Sequence, residues 1–183
     1  MLKKLVASGC AAALLAAVPA TTAQATTPQP SEWTYADETY ALPAGVTCKD
    51  KVIEKAKYAY RVTEYPDGRA FIEYKDWSTT TFVNTRNRRT YTIPAGGDIF
   101  ITPSGETTEY IKLVGDNYIL GKGVKGLLFT KGYVTFKVVN IGDPLRETIL
   151  NLDLSKAQKV IEVCAKLGST PVQGSNPPGE PIA

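Results

Sequence analysis

Apolar and polar residues alternate with a period of two over most of the middle of the chain. Residues 133–138, for example, place Val134, Phe136 and Val138 on one face. This period, in runs rich in β-branched and aromatic residues, is typical of half-buried β-strands. The runs that follow it span residues 58–65, 70–75, 79–83, 90–93, 98–102, 107–114, 118–120, 127–129, 133–138 and 146–151.

Turn-forming residues separate these runs. Pro66-Asp67-Gly68 joins the first two into a predicted hairpin, because proline presets φ and glycine permits positive φ. Residues 84–89 join the next two into a second hairpin. Closely spaced short strands with such turns are typical of antiparallel folds. We therefore predict a mainly β domain, an antiparallel meander of about eight or nine strands that forms a barrel or a sandwich.

One C-terminal helix is predicted to close the domain. Ser155 and Gln158 fit a capping box, and Gly168 fits a helix stop. Between them the apolar residues recur at helical spacing and would share one face. These residues are Ala157, Val160, Ile161, Cys164 and Leu167.

The ends of the chain differ in composition from the middle. The first residues combine Lys3 and Lys4, a short apolar run and the small-residue site Ala23-Gln24-Ala25. These three parts are typical of a cleavable secretory signal. The last segment is rich in proline and poor in apolar residues, which is typical of disorder. We predict a signal peptide, a flexible leader, the β domain with its helix and a disordered tail at residues 1–25, 26–45, 46–168 and 169–183.

Two alternatives to cleavage near Ala25 remain open. The segment could stay as a membrane anchor, although a span needs ~20 strongly apolar residues. Cys10, which follows Ser8-Gly9, could instead carry a lipid, but most of the apolar run lies after it. We expect cleavage, an extracellular protein, and no membrane span once the signal is removed.

Cleavage would bring the net charge close to zero. The sequence has 21 basic and 18 acidic residues, and removal of Lys3 and Lys4 leaves a net charge of +1. Proteins that bind nucleic acid usually present a strongly basic face. We therefore expect no nucleic-acid partner.

Export would also leave two cysteines, Cys48 and Cys164. A cysteine pair in an exported chain predicts a disulfide, and two buried free thiols are the alternative. The bond would join the predicted helix to the start of the sheet. Two thiols without any histidine do not make a structural zinc site, so we predict no metal and no cofactor.

Catalytic chemistry has few candidates in this sequence. Without histidine, Ser-His-Asp and Cys-His arrangements are excluded. Paired carboxylates could hydrolyse glycosides, but the glutamates fall on alternating strand faces and are predicted to be solvated surface. They are Glu54, Glu64, Glu73, Glu106, Glu109 and Glu147. We expect no catalytic residues and no enzymatic activity.

The densest charge is the basic turn of Arg86, Arg88 and Arg89. Arginines can hold a phosphate, a sulfated glycan or an acidic partner. A solvated hairpin tip is the alternative that we favour.

Several short motifs resemble small secreted proteins of actinobacterial type without an assigned function. The resemblance implies export and an all-β domain, and it brings no active site. The chain departs from that pattern in its terminal helix and proline-rich tail. The matching stretches are Ala41-Leu42-Pro43-Ala44-Gly45-Val46-Thr47-Cys48, Tyr65-Pro66-Asp67-Gly68-Arg69, Asn84-Thr85-Arg86-Asn87 and Cys164.

Three functions are compatible with these features. The first is a monomeric, non-enzymatic extracellular module that binds a ligand, polymer or protein of unknown identity. The second is a secreted hydrolase inhibitor that presents one rigid loop. The third, which we rank last, is a glycosidase-type enzyme that uses carboxylates alone.

Overall fold

The computed structural model describes residues 27–143 and 145–175. The predicted signal peptide and Cys10 lie outside these residues. Within them the protein is mainly β, as predicted, with ten strands and one short C-terminal helix. The elements are β1 (Thr34–Leu42), β2 (Val52–Glu64), β3 (Ala70–Tyr74), β4 (Thr79–Asn84), β5 (Thr90–Pro94), β6 (Asp98–Gly105), β7 (Thr108–Ile119), β8 (Leu128–Val139), β9 (Thr148–Asp153), β10 (Ala157–Glu162) and α1 (Val163–Lys166).

All ten strands belong to one antiparallel sheet of order β10-β8-β7-β6-β3-β2-β4-β5. Two long strands, β2 and β8, each pair with three other strands. β2 pairs with β1, β3 and β4, and β8 pairs with β7, β9 and β10. Each of these two strands is long enough for two shorter strands to pair side by side along one of its edges.

The centre of the sheet has one strictly apolar row of residues. Ile72 of β3 pairs with Ile99 of β6, Ile99 pairs with Leu113 of β7, and Leu113 pairs with Val134 of β8. All four side chains are buried in the same core cluster. Because side chains alternate between the faces of a strand, the residues next to them point to the other face.

The sheet folds back so that its two halves pack against each other. Phe82 of β4 contacts Tyr118 of β7 edge to face, with the ring centroids 5.5 Å apart. These rings share a second core cluster with Ile93 of β5 and Phe129 of β8. Among the described residues the sheet does not close on itself. The barrel alternative is therefore wrong, and we interpret the fold as a sandwich made by one folded sheet.

The predicted cysteine pair is joined in this second cluster. The Cys48 and Cys164 Cα atoms are 5.5 Å apart, the sulfurs are bonded, and both residues are buried. Cys164 lies in α1 and Cys48 lies in the loop between β1 and β2. The bond therefore joins the end of the domain to the beginning of the sheet.

The chain after α1 differs from the predicted disordered tail as far as Ser175. The Lys49 amide donates to the Thr170 carbonyl at 2.8 Å, and the Gly126 amide donates to the Val172 carbonyl at 2.8 Å. Residues 169–175 thus lie between the β1–β2 and β7–β8 loops. Gly174 is required there, because a Cβ would stand 2.0 Å from the Gly121 carbonyl oxygen. Backbone hydrogen bonds order a segment that has little apolar content.

The predicted leader also differs, because β1 forms within it. The strand pairs with β2 from Thr34–Tyr60 to Leu42–Val52. Leu42 is the only residue of β1 that is fully buried. A strand with so little apolar burial gives a weak sequence signal, and its partner β2 supplies most of its interactions.

The helix is shorter than predicted. Residues 157–162, predicted to be helical, form β10, which pairs with the otherwise free edge of β8. Val160 and Ile161 are β-branched and favour a strand once a partner is available. The Ser155 amide bonds to the Asp153 carboxylate at 2.9 Å, and Glu162 caps the helix instead. No helix in the described part of the chain has the length and apolarity to cross a membrane.

The disulfide gives the first prediction. The two cysteines are 116 residues apart in sequence, and closing a loop of that size in the unfolded chain is worth about 4–5 kcal/mol. Reduction, or the double variant Cys48→Ala/Cys164→Ala, should therefore lower the free energy of unfolding by several kcal/mol in denaturant titrations. Equal midpoints for the oxidised protein and the double variant would contradict the prediction.

Candidate functional site

A row of half-buried side chains lies on the sheet face opposite the apolar row. Phe71 of β3 pairs with Phe100 of β6, Phe100 pairs with Lys112 of β7, and Lys112 pairs with Thr135 of β8. The next row includes Thr102, Tyr110 and Lys137 on β6, β7 and β8. The register of four strands thus brings aromatic and cationic groups together.

These rows form the floor of an open groove of about 560 Å³. It crosses β3, β6, β7 and β8, whose spacing of ~4.8 Å gives a width of about 14 Å. Its lining combines aromatic, basic and uncharged polar residues. They are Tyr65, Arg69, Ala70, Phe71, Phe100, Ile101, Thr102, Tyr110, Ile111, Lys112, Thr135, Phe136, Lys137 and Asn151. We call this surface the aromatic groove.

Each cation of the aromatic groove is held over a ring. The Lys112 ammonium lies 3.7 Å from the centroid of Phe100, and the Lys137 ammonium lies 5.6 Å from that of Tyr110. Arg69 lies 5.1 Å from the centroid of Tyr65. Cations over ring faces are attracted by the ring quadrupole. The rings therefore favour these positions of the positive charges.

The aromatic groove is positively charged. None of its lining residues is acidic. Arg69 is paired with Asp67 at 2.7 Å, whereas Lys112 and Lys137 have no ion pair with any described residue. Two lysine charges are thus available to a ligand.

A second feature is a set of carboxylates and tyrosines between the two halves of the sheet. The Tyr118 hydroxyl of β7 donates to Glu54 of β2. The hydroxyls of Tyr40 and Tyr58 both donate to Glu38 of β1. Burial raises the pKa of both tyrosines, and the hydrogen bond to Glu38 raises it further. These contacts join β1, β2 and β7 through polar groups.

Glu54 itself is fully buried. One carboxylate oxygen accepts from Tyr118, and the other has no partner in the described structure. Burial raises the pKa of Glu54 from its usual 4.5 to about 7, the Tyr118 hydroxyl opposes this shift, and the nearby Glu38 charge adds to it. The prediction that Glu54 is solvated surface is wrong, since the packing of β7 on β2 covers it.

The basic turn lies elsewhere, at the tip of the β4–β5 hairpin. Arg86, Arg88 and Arg89 are all exposed there, and Arg86 lies 3.4 Å from Asp50. A hydrogen bond joins the tip to the residue after α1, because the Asn87 side-chain amide donates to the Leu167 carbonyl at 2.9 Å. The structure brings the three arginines onto one turn, outside the aromatic groove. Their role in binding stays a prediction.

Sequence reasoning did not identify the aromatic groove, although a signal for it exists. Strict alternation would place polar residues beside each core residue, yet Ile99-Phe100-Ile101 is apolar throughout. One face of β6 must then expose an aromatic ring. What the alternation does not give is the pairing order of the strands, which aligns that ring with Phe71 and Lys112.

The chain matches no protein-family model, no curated protein and no solved structure. The resemblance to secreted actinobacterial proteins therefore stays a prediction.

Glu54 gives a prediction about pH. Its pKa is about 7 in the folded protein and 4.5 ordinarily, so the folded state binds this proton more tightly than the unfolded state. The contribution of Glu54 to stability is therefore full below pH 4.5 and is lost as pH rises to about 7, with a loss of about 3 kcal/mol.

The Glu54→Gln variant should remove this dependence. The measurement is the free energy of unfolding in denaturant between pH 5 and pH 8, each variant compared with the unmodified protein. The matched control is Glu64→Gln, an exposed residue on the same strand, which should keep the dependence. An equal pH dependence in Glu54→Gln and the unmodified protein would show that Glu54 does not titrate in this range.

Proposed function

We propose that the protein is a secreted, non-enzymatic extracellular module that binds a negatively charged ligand in the aromatic groove. The observation that carries the proposal is the placement of Lys112 and Lys137 over ring faces in a groove without acidic lining residues. Charges that are held in place before binding lose less entropy when the ligand arrives.

Export belongs to the same proposal. The disulfide between Cys48 and Cys164 is compatible with an oxidising compartment. The proposed cleavage near Ala25 agrees with the position of β1, which begins at Thr34. Cleavage there would leave every described strand intact.

A secreted hydrolase inhibitor is the second candidate. It is favoured by the Arg86–Arg89 tip, which is exposed and supported near the disulfide through Leu167, three residues after Cys164. The tip is also curled, since the Arg88 amide donates to the Asn84 carbonyl and Arg88 has a φ of 59°. A curled turn offers little extended backbone to a protease cleft, so we rank this function below ligand binding.

A carboxylate-only enzyme ranks third. Glycoside hydrolysis needs two carboxyl groups that reach the same sugar. The lining of the aromatic groove has none, and Glu54 is closed off from solvent in the interior. Neither place brings a substrate to a pair of carboxylates.

The test of the proposed function is binding to a polyanionic matrix. The double variant Lys112→Ala/Lys137→Ala removes both available charges. It should weaken binding about 10- to 30-fold at low salt, since solvent-accessible ion pairs contribute up to about 1 kcal/mol each and every 1.4 kcal/mol is tenfold. Binding of the unmodified protein should fall as salt rises.

A matched control is available on neighbouring strands. Lys131 of β8 and Lys159 of β10 are register partners, both exposed and both outside the aromatic groove. Their double alanine variant changes the net charge equally and should leave binding unchanged. Equal losses in the two double variants would mean that net charge, and not the groove, holds the matrix.

A further inference from the structure

We infer that the ligand of the aromatic groove is an acidic polysaccharide, a chain of sugar rings that carry carboxylate or sulfate groups. The inference rests on the proposed function and names the ligand class of the same site. It follows from the charge, the ring orientation, the polar groups and the shape of the groove.

The two available charges favour a ligand with more than one negative group. Lys112 and Lys137 lie on adjacent strands in neighbouring rows of the sheet, since Lys112 pairs with Thr135 and Lys137 pairs with Tyr110. Arg69 is already paired with Asp67 and adds no third free charge. A ligand with repeated negative charges can pair with both lysines.

The orientation of the rings disfavours stacked nucleobases. Phe71 and Phe100 are stacked on each other with centroids 4.5 Å apart, and Lys112 lies over Phe100. Binding of single-stranded nucleic acid relies on open ring faces. Phe71 and Lys112 flank Phe100 from the two neighbouring strands, so the ring edge of Phe100, whose hydrogens are positive and attract oxygen atoms, is what remains for a ligand. An oxygen-rich ligand fits such edges.

Uncharged polar groups favour a ligand with hydroxyls. Thr102, Thr135 and Asn151 lie along the groove beside the cations. Their side chains can both donate and accept hydrogen bonds, as sugar hydroxyls also do. A ligand with charges alone would leave these groups unused.

The position of the groove on a sheet face disfavours an acidic peptide. Peptides that bind sheets usually add a strand to an exposed edge through main-chain hydrogen bonds. Here β3, β6, β7 and β8 are paired with their neighbours beneath the groove, so only side chains are offered. The open groove is also about 14 Å wide, which suits an extended chain that crosses the strands.

The test compares four polymers of similar length by isothermal titration with the full mature chain. Polygalacturonate carries both rings and charge, and its methyl ester keeps the rings without the charge. Poly-L-glutamate carries charge without sugar rings, and a single-stranded oligodeoxynucleotide carries charge with aromatic bases. We expect polygalacturonate to bind at least about tenfold more tightly than each of the other three.

The variants separate this inference from the proposed function. Lys112→Ala/Lys137→Ala should lose polygalacturonate binding, while Lys131→Ala/Lys159→Ala should keep it, with unchanged melting temperatures as the check on folding. Equal or tighter binding of the peptide, the oligonucleotide or the ester would overturn the acidic polysaccharide. If that binding still depends on Lys112 and Lys137, the groove remains a binding site. If no polyanion depends on those lysines, both proposals fail.

Discussion

The register of β3, β6, β7 and β8 determines both the core and the aromatic groove. Ile99 pairs with Leu113 in the buried row, and the next residue, Phe100, pairs with Lys112 in the half-buried row on the other face. A slip of one residue between β6 and β7 would move a lysine toward the core face and a leucine toward solvent. Burial of the apolar row therefore also fixes the spacing of rings and cations in the groove.

The rest of the fold keeps this central part of the sheet in place. β7 and β8 extend beyond the groove and pack on β4 and β5 through Phe82 and Tyr118. The disulfide and the chain after α1 join the loops at that end. One face of the β7–β8 pair thus packs against the second core cluster near the loop that joins the two strands, and the same face is open to solvent at the groove. Glu54 lies where β2 and β7 meet, which couples the packing of the two halves to pH.

Period-two patterning was enough to predict the β class and the hairpin around Pro66. It did not distinguish a barrel from a sandwich. The cysteine pair also follows from sequence, because removal of the predicted signal with Cys10 would leave two cysteines and one intrachain pairing. Elements that depend on a partner could not be predicted: β1 and β10 form on the edges of β2 and β8, and a helical pattern around Val160 gives way to a strand. The buried Glu54 and the aromatic groove depend on which strands meet, and alternation along one strand carries no such information.

On this proposal, an acidic sugar chain binds on the row of Phe71, Phe100 and Lys112. Amide chemical shifts measured by NMR during titration with a short oligogalacturonate test it directly. We predict that the shifts change at Phe71, Phe100, Lys112 and Lys137 and stay constant at the Arg86–Arg89 tip. Shift changes confined to the Arg86–Arg89 tip, with none at the residues of the aromatic groove, would contradict the proposal.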